Sequence, residues 1–392
     1  MRTRPAVLVA GLGTLIVVAF GTVLYGFSVY ATDEAAGSVF STSVLSLGLS
    51  GATVVNGLLA PAVGRFADRR GVRGAIALGA VLLFMGLWGF STARENWHVI
   101  TSWWLLLGPA TALVYYDPAI IALNQWVPVA DRPRAFGMLT VVGGMSATIF
   151  IPLAGWLVES LGWRPAVRVL AGLGLVVGLA VSRFVVPSGI PSDHPPAARH
   201  ATLVALVRDR RWVLFTAAVV IVQAGTSAII ALRVDRFTEV GFALGTVTAL
   251  AGAASLVSLP GRLWGPIAAA RWSGTGVFAL VLGVIALSAV LAAVPVGTGL
   301  MVAHFTVFGL AFGAFTAVRA VVMSGWYSVE RFGAVNGSQS AVALVLGGLG
   351  PLAVGVGRDV TGGYPGPLAV LAVALVLGAV LSVASGRVHS DG

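Results

Sequence analysis

The sequence predicts an all-α membrane protein in which twelve membrane-crossing helices form two pseudo-symmetric bundles of six. Three observations lead there. The first is composition: of 392 residues, 58% are hydrophobic and 10% charged, and the mean hydropathy is +0.96. A soluble domain carries roughly 25% charged residues, and so few polar groups would not cover a water-facing surface of this size. The second is the recurrence of apolar runs of about 20 residues, the length a helix needs to cross a bilayer core. The third is an internal echo at an offset of roughly 200 residues, the sign of a duplicated bundle. Pro152-Leu153-Ala154 returns as Pro351-Leu352-Ala353, Gly162-Trp163 as Gly363-Tyr364, and Trp126 as Trp326.

Taken in order, the first apolar run covers 6–30 behind Met1-Arg2-Thr3-Arg4. It is longer than the roughly 7–15 residues of a signal-peptide core, so it is expected to be the first membrane helix. Further segments follow at 38–63, 74–92, 98–127, 136–159 and 165–187. They complete an N-terminal bundle over 1–187. Residues 188–212 differ: they are polar and carry Pro191, Pro195 and Pro196. They end in a stretch, Ala201 to Arg211, with the pattern of a short amphipathic helix lying at the membrane face. This is the expected cytoplasmic linker. The C-terminal bundle occupies 213–392, with segments at 213–235, 242–268, 275–296, 299–325, 334–357 and 365–386. The 51 glycines suit close helix packing in lipid.

Charge sets the orientation. All 24 basic residues are arginine, against 14 acidic ones. They cluster in alternate turns: Arg65, Arg69, Arg70, Arg73, Arg132, Arg134, Arg208, Arg210, Arg211, Arg271, Arg331 and Arg387 fall on one side with the termini. Only Arg94, Arg164, Arg236 and Arg358 fall on the other. The positive-inside rule then places both termini in the cytoplasm of a cell-membrane protein. The net charge of +10 is thus a topology signal and not a nucleic-acid surface. Without lysine there is no Schiff-base chemistry and no P-loop. Without cysteine there is no thiolate metal site. No nucleophile–base constellation appears, so neither an enzyme nor a cofactor nor a bound metal is expected.

Between the second and third segments stands Gly64-Arg65-Phe66-Ala67-Asp68-Arg69-Arg70-Gly71-Val72-Arg73. It resembles the signature loop of the major facilitator superfamily, with Gly64, Asp68, Arg69, Gly71 and Arg73 at its positions. Leu161-Gly162-Trp163-Arg164-Pro165 is also similar to a phrase common there. The resemblance implies a secondary transporter working by alternating access, with the loop latching the halves in the outward-facing state. Physically, Gly64 permits close helix approach, and Asp68 suits a neighbouring helix N-terminus. Arg65 and Arg70 read as topology residues. The second-half copy, Gly265 to Arg271, has Ala269 where the acid would be.

Ionisable groups deep in a membrane helix are costly and point to function. Asp117 lies roughly 15 Å from the inner end of the fourth segment at 1.5 Å per residue. It is the candidate proton carrier, and equally a helix N-cap with Pro118 following. Arg262 and Arg319 lie roughly 12–14 Å deep on the same rise. Each needs a carboxylate, a carbonyl cluster or an anion. One pairing is Asp117 with Arg319, leaving Arg262 for substrate; snorkelling is the other reading for Arg262. Tyr116-Asp117-Pro118 and Leu259-Pro260-Gly261-Arg262 are similar to monocarboxylate-transporter-like bacterial members, in which an arginine of the eighth helix is the expected anion ligand. The acid of that helix is missing here, with Ser258 one turn earlier. Tyr25, Tyr115, Tyr116, Gln223 and His304 complete the candidate substrate residues. Arg233, Asp235 and Arg236 read as a solvated cluster near the end of the seventh segment.

The expectation is a monomer in the lipid bilayer that moves a small organic anion, such as a monocarboxylate, with the proton as coupling ion. A proton-coupled exporter of drugs or natural products, and a non-transporting sensor or scaffold of the same fold, are the alternatives.

Overall fold

The structure is a computed structural model, and it describes residues 5–32, 35–128, 131–188, 206–294, 297–327 and 329–388. Among them, twelve helices are long and apolar enough to cross a membrane, and none of the described residues forms a strand. We label them α1 (Pro5–Tyr30), α2 (Thr42–Arg70), α3 (Val72–Ser91), α4 (Asn96–Trp126), α5 (Arg134–Leu161) and α6 (Trp163–Val185). The second set is α7 (Arg210–Glu239), α8 (Leu244–Arg271), α9 (Gly274–Ala293), α10 (Thr298–Trp326), α11 (Val335–Thr361) and α12 (Pro365–Arg387). The chain divides into two compact units, Met1–Ala197 and Ala198–Gly392. Most of the linker, including the start of its expected amphipathic helix, lies outside the described residues.

Each unit packs in the same order. In the first, α1 lies against α5, α2 against α4, and α3 against α4 and α6; in the second, α7 lies against α11, α8 against α10, and α9 against α10 and α12. The pairings correspond with every helix number raised by six. The echo of short motifs in the sequence is therefore an echo of packing.

Several spans are not continuous α-helix, which hydropathy does not reveal. Wide, π-type turns occupy Gly21–Tyr25 in α1, Ser102–Leu107 in α4 and Val181–Val185 in α6. Such turns recur at functional positions. α5 is interrupted at Met145, and α11 between Gly347 and Gly350, where Pro351 opens the next segment. In lipid a neighbouring hydroxyl must satisfy backbone groups near such breaks. Ser146 Oγ of α5 donates to Val17 O of α1 at 2.7 Å, and Ser227 Oγ of α7 donates to Gly347 O of α11 at 3.2 Å.

Four glycines in turns among the described residues have positive φ, and two of them lie in the motif phrases: Gly71 (φ 78°) between α2 and α3, and Gly162 (φ 80°) between α5 and α6. This is the left-handed region, where an L side chain is strained. It explains why both motif phrases hold glycine at those positions.

Candidate functional site

The signature loop is built into its own unit at three points. Gln125 of α4, buried, donates from Nε2 to Ala67 O at the end of α2 (3.2 Å). Ser182 Oγ of α6 donates to Arg73 O (2.9 Å), and Arg73 Nη2 donates back to Arg183 O (3.1 Å). Arg132 closes the neighbouring turn, donating to Asn124 O (2.7 Å) and Val127 O (3.0 Å) at the end of α4. These are carbonyls that a helix C-terminus leaves without intrahelical partners. The sequence reading did not name Gln125 or Ser182, and it read Arg132 as a topology residue only. The side chains of Arg65, Asp68, Arg69 and Arg70 lie outside the described residues. A Cβ at Gly64 would meet nothing within 4 Å among the described residues.

α4 is broken where Asp117 sits. Its segment Gly108–Val114 ends at Tyr115, whose extended backbone (φ −80°, ψ −154°) caps a new segment, Tyr116–Trp126. The N-cap is therefore Tyr115 and not Asp117. The correction has a steric reason: the residue before proline avoids the α conformation only as a bias, and here the chain turns two residues earlier. Asp117 falls in the first turn of the new segment, exposed, where the helix dipole favours a negative charge. Above the break is an aromatic cluster. Phe20 of α1 stacks on Tyr115 (centroids 3.7 Å, planes 17° apart) and lies 5.5 Å from Tyr116. The Tyr116 hydroxyl passes over Gly143 of α5, where any Cβ would collide with it. Tyr25 is half-buried at the end of the α1 wide turn. Phe20 is a member that sequence reasoning missed. Its signal was available, since it is an aromatic five residues before Tyr25 in the same span.

In the second unit, Arg262 and Arg319 belong to the tightly packed pair α8 and α10. A Cβ at Gly261 would collide with Leu310 O, and one at Gly313 with Ser258 O. A Cβ at Gly309 would stand 2.5 Å from Ala254 O, and one at Gly265 3.1 Å from Val318 Cγ2. Small residues let the two backbones touch along this seam. Arg262 follows Gly261 and Arg319 follows Val318, so the seam carries both arginines. Counting from the helix ends Arg271 and Trp326, they lie about 14 Å and about 10 Å in. Both are half-buried. Arg319 Nη2 donates to Ser340 Oγ (3.0 Å) and Asn336 Oδ1 (3.3 Å) of α11. Both of these partners, among the described residues, are neutral. Gln223 of α7 packs with its Cβ and Cγ against Gly347, beside the α11 break.

His304 is elsewhere. Its ring has no exposed surface, Nδ1 lies 2.8 Å from Ser288 O of α9, and Phe237, Phe305 and Phe308 surround it. In this structure it is part of the unit's interior.

The expected solvated cluster near the end of α7 is buried. Arg233 is 5% exposed, Asp235 0% and Arg236 5%. Arg233 lies over the rings of Phe305 (5.2 Å) and Phe308 (5.1 Å), Arg236 Nε donates to Ala292 O (2.8 Å), and Tyr364 donates to Asp235 Oδ2 (2.5 Å). Burial pushes the Tyr364 phenol well above its usual range, and the charge and hydrogen bond of Asp235 push the same way. The sequence placed these residues near a helix end. It did not show that Tyr364, 129 positions later, closes over them. Among the described residues no three His, Asp or Glu side chains stand together to hold a metal.

The fold matches solved transporters. A mutant of the nucleoside transporter NupG superposes with a TM-score of 0.77 at 16% identity, covering 98% of both chains. A bacterial homolog of the human lysosomal transporter Spinster, inward-facing and occupied, gives 0.78 at 14% identity, covering 99% of this chain and 98% of that one. By sequence, monocarboxylate transporter 13 of Bos taurus is 27% identical over 316 residues, 79% of this chain and 72% of the relative. The riboflavin transporter RibJ of Trypanosoma brucei brucei is 33% identical over 135 residues, 33% of this chain and 24% of the relative. Residues 6–307 match the Major Facilitator Superfamily, and with the twelve helices and the repeated packing in place, the chain belongs to that superfamily of membrane transporters.

Proposed function

We propose that the protein transports a small monocarboxylate, coupled to protons and working by alternating access. The observation that carries this is the arginine pair on the α8–α10 seam. Arginine stays ionised, and a charge in the middle of a membrane helix must be matched. Within its unit Arg319 is held by Ser340 and Asn336, which orient a guanidinium without neutralising it. An anionic solute supplies the missing charge, and Arg262 is the first ligand for its carboxylate. The likeness to monocarboxylate transporter 13 supports the same solute class. Asp117, exposed in the first turn of its segment, is the proton carrier: protonated, it lets a solute and proton cross without net charge left in the membrane. Tyr25, Tyr115, Tyr116 and Gln223 contribute surface and polar contacts.

The test is uptake of labelled small monocarboxylates into proteoliposomes under an imposed pH gradient. Arg262→Gln is expected to abolish uptake, and Asp117→Asn to abolish gradient-driven accumulation while leaving exchange. Undiminished uptake by Arg262→Gln overturns the proposal. The aromatic cluster of Phe20, Tyr115 and Tyr116 favours a second reading, a bulky apolar solute moved outward in exchange for protons. Saturable transport of such a solute, insensitive to Arg262→Gln, would establish it.

A further inference from the structure

An open groove of about 480 Å³ runs along the surface of the second unit between α7, α9 and α12. Its walls are Leu214 of α7, Ala279 of α9, and Val376 and Val380 of α12; at one end stand Arg210, which opens α7, and Arg387, which closes α12. The groove is concave because its walls include alanines and because α12 is drawn against α9 at this end. There Ser382 Oγ donates to Thr275 O (2.8 Å), and Gly386 leaves room for the Thr275 side chain.

Among the described residues, the two arginine side chains are not engaged. Their neighbours in sequence and space are engaged elsewhere: Arg211 lies over the Trp326 ring (4.5 Å), and Asp209 accepts from the Arg211 and Trp212 amides and from the Tyr327 hydroxyl (2.7 Å). Arg210 and Arg387 themselves are exposed, and neither side chain has a hydrogen bond or ion pair to another described residue. The eleven steps from Val376 to Arg387 span about 16 Å of helix, half of a hydrocarbon core of about 30 Å. The groove is thus one leaflet deep, with two cations at its headgroup end and apolar walls below.

We propose that this groove is a binding site for an anionic glycerophospholipid, with an acyl chain along Val376, Val380, Leu214 and Ala279, and the phosphate between Arg210 and Arg387. Any exposed apolar face of a membrane protein touches lipid. This one adds a cavity and two exposed cations, unpaired among the described residues, at the correct depth, the combination that selects a headgroup. The site is separate from the arginine seam and makes no use of the transport proposal.

The experiment measures retained lipid by native mass spectrometry of the full chain in detergent, supplied with equal phosphatidylglycerol and phosphatidylcholine. The wild type is expected to retain phosphatidylglycerol preferentially. The Arg210→Gln/Arg387→Gln variant is expected to lose about 30-fold of that preference, from the usual contribution of two basic residues near an anionic headgroup. Val380→Trp fills the groove but keeps both arginines, and it is expected to release both lipids. Each variant is checked for an unchanged elution profile. Equal retention of the two lipids by the wild type, or undiminished preference in the double variant, overturns the proposal. So does displacement of phosphatidylglycerol by inorganic phosphate alone, which would mean a site for a free anion.

Discussion

Asp235 has no exposed surface and stands in sequence between two guanidiniums that are themselves buried. Taking a carboxylate out of water is tolerable only when charges and hydrogen bonds surround it, and removing one member of such a set costs about 3–5 kcal/mol. Asp235→Ala is therefore expected to lower thermal stability in detergent severely, whereas Tyr364→Phe, which removes one hydrogen bond to a charged group, should cost about 1.5–3 kcal/mol. A pH dependence follows from the raised Tyr364 phenol. The folded state keeps it protonated while the unfolded chain ionises near pH 10, so its contribution is complete below about pH 10 and is lost as pH rises further. Melting temperatures between about pH 10 and 11 should fall more steeply for the wild type than for Tyr364→Phe. None of this cluster was legible as buried in the sequence, because burial there depends on a turn far along the chain. By contrast, the depth of Arg262 and Arg319 was legible, since it needs only the rise of a helix and the position of its ends.

At the scale of elements, the sequence carried the existence of the twelve spans but not their interruptions, nor the run of α2 to Arg70 through residues read as an inter-helix loop. Hydropathy sums over a window and is blind to a wide turn at Gly21–Tyr25 or a stop at Met145. These depend on which neighbour supplies a hydroxyl, and the Ser146–Val17 contact joins residues 129 positions apart. Ser146→Ala is expected to cost about 1 kcal/mol, read as a lower melting temperature. The α8–α10 seam makes a stronger prediction. Gly313→Val places methyl groups against the Ser258 carbonyl, and forced overpacking costs about 1–3 kcal/mol or more. The same change at Gly283, where a Cβ meets nothing within 4 Å, should be nearly silent. Phe20→Ala should loosen the α4 break, with about 0.5–1.5 kcal/mol lost from the ring contacts beyond the buried area.

At the scale of the whole molecule, the duplication was visible as three short echoes and returns as a pairing scheme shared by both units. The units then differ in what they carry. The first holds the signature loop and Asp117; the second holds Ala269 in the acid position and the two mid-span arginines. Sequence could show that division because deep charges and motif letters are properties of single positions. It could not show His304 enclosed by phenylalanines or Phe20 stacked on Tyr115, because those depend on several helices meeting. The seam between α8 and α10 has one mechanical consequence. Two backbones that touch at Gly261, Gly265, Gly309 and Gly313 have no slack for one to slide past the other, since each step would press a side chain into a space sized for hydrogen. Arg262 and Arg319 therefore travel as fixtures of a single stiff plate. Their spacing is set by the seam itself, so in the proposed transport cycle it is a constant gauge, indifferent to which side of the membrane is open.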